Sequence, residues 1–129
     1  MPVAVPRRLP DVGQGSEPIY ATVVEASTDG YRIVLGFTPD CGGGTACRLG
    51  ELAARRAAAT APPGQPVELA GGLQGRFVDA TCGANCSDST LTWQARGVER
   101  SVGLKAGSVA DVTGLANAVI DGAVVEGGL

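Results

Sequence analysis

The side chains with most chemistry to offer are four cysteines, Cys41, Cys47, Cys82 and Cys86, and the acidic residues beside them. The cysteines fall in two local pairs with five and three residues between partners. Both pairs enclose glycine, Gly42-Gly43-Gly44 in one and Gly83 in the other. Glycine lets a short loop turn sharply enough to bring two Cα atoms within bridging distance. Four cysteines allow three connectivities, and the loop composition favours Cys41–Cys47 and Cys82–Cys86. A four-thiolate zinc site is the competing chemistry; zinc knuckles usually place about two to four residues between thiolates, which only the second pair satisfies. There is no Cys-x-x-Cys, so the spacing itself gives no redox motif. Disulphides point to an oxidising, extracytoplasmic compartment.

The sequence contains no histidine. That removes the commonest general base and excludes Ser-His-Asp and Cys-His arrangements. Gly42-Gly43-Gly44-Thr45 has the glycines of a phosphate loop but no lysine before the hydroxyl residue, so it reads as a disulphide loop. Asp40, Asp79 and Asp88, with the Asn85 amide, could supply oxygen ligands to calcium or the carboxylates of a small hydrolase. Their spacing matches no EF-hand, and Asx turns account for them more simply. Trp93 lies on an alternating strand and reads as a core anchor. Tyr20 and Tyr31 suit either a core or a contact. Asn85-Cys86-Ser87 is formally a glycosylation sequon with a bridged cysteine at its centre. Lys105, the single lysine, closes the last strand before a helix. The expected site residues are therefore the four disulphide cysteines, with no catalytic residue, metal or cofactor assigned.

The 129 residues carry a net charge of −3 and no basic patch, which argues against a nucleic-acid partner. No apolar run reaches the ~18 residues needed to span a membrane. Residues 1–17, with Pro2, Pro6, Pro10, Gly13 and Gly15, read as a linker, expected to follow a removed signal or anchor. A single domain is expected over 18–122, with a tail over 123–129. From Ile19 the pattern is β. Asp29-Gly30 signals a hairpin, and Tyr31, Ile33, Leu35 and Phe37 alternate with Arg32, Val34, Gly36 and Thr38 to give one buried face. Pro39 ends that strand. Residues 67–70 and 75–79 read as short strands. Residues 90–96 and 98–105 form a hairpin turning at Gly97. One face carries Leu91, Trp93 and Ala95, and the returning strand carries Val98, Val102 and Leu104. Over 48–61 helix propensity is high, with a Glu51–Arg55 i,i+4 pair, until Pro62-Pro63-Gly64. The final element is a helix: Ser108 and Asp111 have capping-box spacing, Val109, Val112, Leu115, Ala116, Val119 and Ile120 form one stripe, and Gly122 stops it.

The run Val67–Phe77, the segment Leu91–Val98 with its Trp93 and turn Gly97, and the strand–helix ending Val98–Ile120 together resemble the C-terminal extracytoplasmic domains of bacterial lipoproteins and anti-sigma regulators. These are similar to the periplasmic lipoprotein-carrier and sigma-regulator sheet domains of the LolA and RseB kind. The likeness covers roughly residues 66–121. It implies a strand, not a helix, for 48–56, and it implies no catalytic residue. The expected fold is α+β: an antiparallel meander of about six to seven strands, packed by a C-terminal helix and stapled by two local disulphides. The expected function is a non-enzymatic extracytoplasmic binding or sensory domain of an envelope protein. Its helix-free sheet face would meet a protein or an apolar ligand. A carboxylate- or metal-dependent hydrolase and a lipid or lipoprotein carrier are the alternatives.

Overall fold

Alternation of large apolar and polar residues is what builds the sheet. A computed structural model describes residues 3–5, 19–39, 41, 47–84 and 86–125. In chain order the elements are β1 (Val3–Val5), β2 (Tyr20–Ser27), β3 (Gly30–Gly36), β4 (Arg48–Arg56), β5 (Gln65–Glu68), β6 (Gln74–Val78), β7 (Asp88–Ala95), β8 (Val98–Lys105), α1 (Val109–Ile120) and β9 (Ala123–Val125). Seven strands form one antiparallel sheet in the order β2-β3-β4-β8-β7-β6-β5. The meander thus comes in two runs, β2–β4 and β5–β8, joined where β4 pairs with β8. The β4–β5 connection passes the tip of the β7–β8 hairpin, where Ala57 N–H donates to the Gly97 carbonyl (2.9 Å). β1 and β9, within the segments read as linker and tail, pair with each other.

Residues 48–56 are a strand, as the resemblance implies and against their helix propensity. A nine-residue helix is marginal on its own. As β4 the same residues hydrogen-bond to β3 on one side and β8 on the other, and place Leu52 and Ala54 in the core. The first hairpin also forms, but its two-residue loop is Thr28-Asp29, since Ser27 pairs with Gly30. Gly30 serves for close approach: a Cβ there would lie 2.5 Å from the Ala54 carbonyl oxygen. The β7–β8 turn uses Arg96 and Gly97, both at positive φ.

The core lies between one sheet face and α1. Ile33, Leu35, Leu52, Leu91, Val102 and Leu104 supply the sheet side; Val112, Leu115, Ala116 and Val119 supply the helix side. Val109, expected in the stripe, is exposed in the first helical turn. The capping box forms as expected: Asp111 N–H donates to Ser108 Oγ (3.1 Å), and Ser108 N–H donates to Asp111 Oδ2 (3.2 Å). Asn117 fixes the helix against the 3-10 turn Ala70–Gly72 by accepting the Ala70 N–H at 2.8 Å. Val34, expected on the open face, is buried as well. Thr22, its partner in the β2–β3 ladder, donates to the Pro39 carbonyl (3.3 Å), which brings Pro39 to that corner.

Candidate functional site

The four cysteines form the two expected bridges, Cys41–Cys47 and Cys82–Cys86, leaving no thiolate for zinc. Cys41 is 2% exposed and packs against Gly36. Cys82 is exposed. Trp93 is buried beside Leu91 in the core, as its alternation implies, and Tyr31 is buried while Tyr20 is half-buried. Arg100, directly opposite Trp93 in the ladder, donates from Nη1 to the Tyr31 hydroxyl at 2.7 Å. That contact satisfies two polar groups at the edge of the apolar core.

Asp79 and Asp88, beside the cysteine loops, are occupied by structural bonds. Asp79 Oδ1 accepts from Ala80 N–H (2.8 Å) and lies 3.5 Å from Ser89 Oγ. Asp88 takes both arms of Arg48, Nη1 and Nη2, at 2.6 Å each. The hydrogen bonds to Asp88 raise the Arg48 pKa above its already high ordinary value, against the desolvation that lowers it. Asp40, Asn85 and Gly42–Thr45 lie outside the described residues. Among the described residues no group of three His, Cys, Asp or Glu side chains is placed to hold a metal. Lys105 stands opposite Asp88 at the end of β8.

What the fold assembles lies on the other face of the sheet, away from α1. There the ladders align two rows of residues across the strands. Glu25, Arg32, Ala53, Ser101 and Thr92 form one row; Ser27, Gly30, Arg55, Glu99 and Gln94 form the next. Five strands at about 4.8 Å spacing make each row about 19 Å long. Small residues in the middle, Gly30, Ala53 and Ser101, sink the floor below the long side chains around them. The result is a trough of ≈ 500 Å³.

Among the described residues three ion pairs border this trough: Arg55–Glu99, Arg32–Glu51 and, beside the β2–β3 turn, Arg56–Asp29 (2.8 Å). Arg55 Nε donates to Glu99 Oε2 at 2.6 Å, and Glu99 also accepts from Gln94 Nε2 at 3.2 Å. The Glu99 side chain is 9% exposed whereas that of Arg55 is 71% exposed. The carboxylate is therefore a fixed anchor, and the guanidinium is an outward-facing group held at one nitrogen. Arg32 bonds Glu51 Oε1 through Nε (3.0 Å) and Nη2 (2.9 Å). Among the described residues, both Nη atoms of Arg55 and Nη1 of Arg32 have no protein acceptor. Glu25, opposite Arg32 in the ladder, likewise has no ion-pair partner there. An arginine fixed at Nε with free Nη donors is set to receive an oxygen acceptor in a planar, charge-assisted contact.

Alternation along β3 puts Arg32 on the outward face, but no local signal in the sequence marks the trough. Arg55 and Ala53 sit in the segment whose propensity reads as helix, and Glu99 and Ser101 come from a strand whose second partner, β4, only the fold reveals. Comparison of the chain with protein-family models, curated proteins and solved structures gives no significant match.

Proposed function

We propose that this chain is a non-enzymatic binding or sensory domain of a bacterial envelope protein, and that the trough on its helix-free sheet face is where it binds. Two disulphides suit an oxidising compartment; a periplasmic, cell-surface or secreted location is part of the proposal. So is the likeness of residues 66–121 to lipoprotein and anti-sigma-regulator sheet domains. The observation that carries the reading is the pair of anchored guanidinium groups, Arg32 and Arg55, with unused donors facing one recess. Arg32 and Arg55 stand among Glu25, Asp29 and Glu99 in the lining, so the partner proposed is a polar ligand or protein surface that offers oxygen acceptors to the two guanidinium groups. The carrier alternative needs space between helix and sheet, and Leu115, Ala116 and Val112 fill that interface at 1% exposure or less.

Amide chemical shifts of the isotopically labelled protein, titrated with a library of small polar and apolar compounds, test this. Shifts are expected in β3, β4 and β8 around Ala53 and Ser101, with carboxylate compounds, and Arg55→Gln should remove them. Ala53→Gln fills the floor from the solvent side and should remove them too, with folding intact. Shifts confined to the Leu115 and Val119 side, or lipid retained in native mass spectrometry, would instead establish the carrier reading.

A further inference from the structure

We propose that Cys82–Cys86 is a thiol-exchange site, opened and re-formed by an external thiol, while Cys41–Cys47 is a permanent staple. The inference is independent of the trough and rests on access and on what holds the loop. Cys82 and its neighbours Gly83 and Ala84 are exposed. Cys41 is 2% exposed and its partner Cys47 half-buried, whereas Cys82 is exposed; a Cβ on the adjoining Gly36 would lie 3.0 Å from Cys41 Sγ, which closes that side to an attacking thiolate.

Cys82 and Cys86 face each other across an isolated antiparallel bridge in the loop between β6 and β7. That loop is also held by bonds that owe nothing to sulfur. Ser87 N–H donates to the Thr81 carbonyl and Thr81 N–H to Ser87 Oγ, each at 2.9 Å. Ala80 N–H donates to the buried Ser89 Oγ (3.1 Å), which in turn donates to the Gly107 carbonyl. Cutting the S–S bond therefore leaves both sulfurs on the same clamped turn. Re-closure stays intramolecular, which is the condition for a bond that cycles and does not merely break.

The chemistry is ordinary exchange. An external thiolate attacks Cys82 Sγ in line with the S–S bond. A mixed disulphide forms at Cys82, and Cys86 leaves as the thiolate. A second external thiolate attacks the external sulfur of that mixed disulphide, releasing Cys82 as thiolate. The two external thiols end as a disulphide. The two protons they release end on Cys82 and Cys86. The reactant is a small thiol or the dithiol of an oxidoreductase.

The experiment uses the folded full chain in graded dithiothreitol and, separately, reduced glutathione, followed by alkylation and peptide mapping of each cysteine. Reduction at Cys82 and Cys86 is expected to outpace that at Cys41 and Cys47 by about tenfold or more, reflecting access. Trp93 emission should stay that of a buried indole, and the same bridge should return on reoxidation. Oxidised glutathione with Cys86→Ser should leave a mixed disulphide on Cys82, with one glutathione released as the thiol. Reaction with dithiothreitol but not glutathione would restrict the reactant to dithiols. Equal rates for the two bridges, earlier loss of Cys41–Cys47, or labelling of Cys82 and Cys86 only in denaturant would overturn the proposal.

Discussion

Asp88→Ala should cost about 2–4 kcal/mol of folding stability, because the side chain ends a strut that joins the two meanders. Arg48 belongs to β4 and Asp88 to β7, with β8 between them. The two bonds of 2.6 Å pass over Gly103, where a Cβ would stand 2.7 Å from Asp88 Oδ2. Exposed ion pairs contribute roughly 0.2–1 kcal/mol, whereas removing one partner of a fully buried pair costs roughly 3–5 kcal/mol. The two side chains are only 20% and 15% exposed, which places the loss nearer the buried limit. Arg48 cannot escape by losing its proton: its raised pKa means the stability it contributes is present below the unfolded-state value and lost only in strong alkali. Urea unfolding followed by Trp93 fluorescence measures the loss at constant m. Gly103→Ala gives a second approach to the same strut, since the new methyl displaces Asp88. The two substitutions should therefore be non-additive by about 1 kcal/mol or more. A loss below ~1 kcal/mol for Asp88→Ala, or strict additivity with Gly103→Ala, would refute the strut.

Trp93→Ala should cost about 3–5 kcal/mol through lost burial and the cavity left, and wild-type emission should be blue-shifted and slow to quench; a neutral effect on melting would deny it a core role. Leu115→Ala should cost about 2–5 kcal/mol in the same urea assay, and an unchanged midpoint would mean that the helix–sheet interface is not packed. Ser108→Ala removes the acceptor of the Asp111 N–H and should cost about 1 kcal/mol, with helix signal in far-ultraviolet circular dichroism reporting fraying at the first turn. Intact mass of the purified protein should lie four hydrogens below the fully reduced mass, as the two bridges require. Four alkylatable thiols in unreduced protein would contradict it.

The elements legible in the sequence are those whose signal is local. Ser108 and Asp111 mark the helix start because a capping box is satisfied within four residues. The alternation of Tyr31, Ile33 and Leu35 marks a strand because the pleat has period two. The cysteine pairing is readable because each loop is short and glycine-containing. Residues 48–56 are not readable in this way. Their Ala, Glu and Arg content suits a helix, and what overrides it is hydrogen bonding to β3 and β8, the latter starting 42 residues beyond Arg56. Val34 shows the same limit at a single residue. Period two assigns it to the open face, yet it is buried, beside a Thr22 that bonds the Pro39 carbonyl 17 residues on. The trough is the extreme case, since each of its residues looks like an ordinary solvent-facing side chain within its own strand.

The shape of that trough still argues for use. A face that needs only to stay soluble does so most simply with long charged side chains at every outward position, and a sheet gains from cross-strand pairs among them. Here the outward row runs Arg32, Ala53, Ser101 and Thr92, so two adjacent central strands present short side chains where they could present long ones. Beside them Glu99 is desolvated to hold Arg55 by one nitrogen while the rest of that guanidinium faces outward. Burying a carboxylate is costly unless it is well paired, and pairing it with an arginine that stays exposed recovers less than a closed pair would. The arrangement is poor as a device for stability. It suits the binding role proposed above: Glu99 sets the position of Arg55, Glu51 sets that of Arg32, and the small floor lies between them.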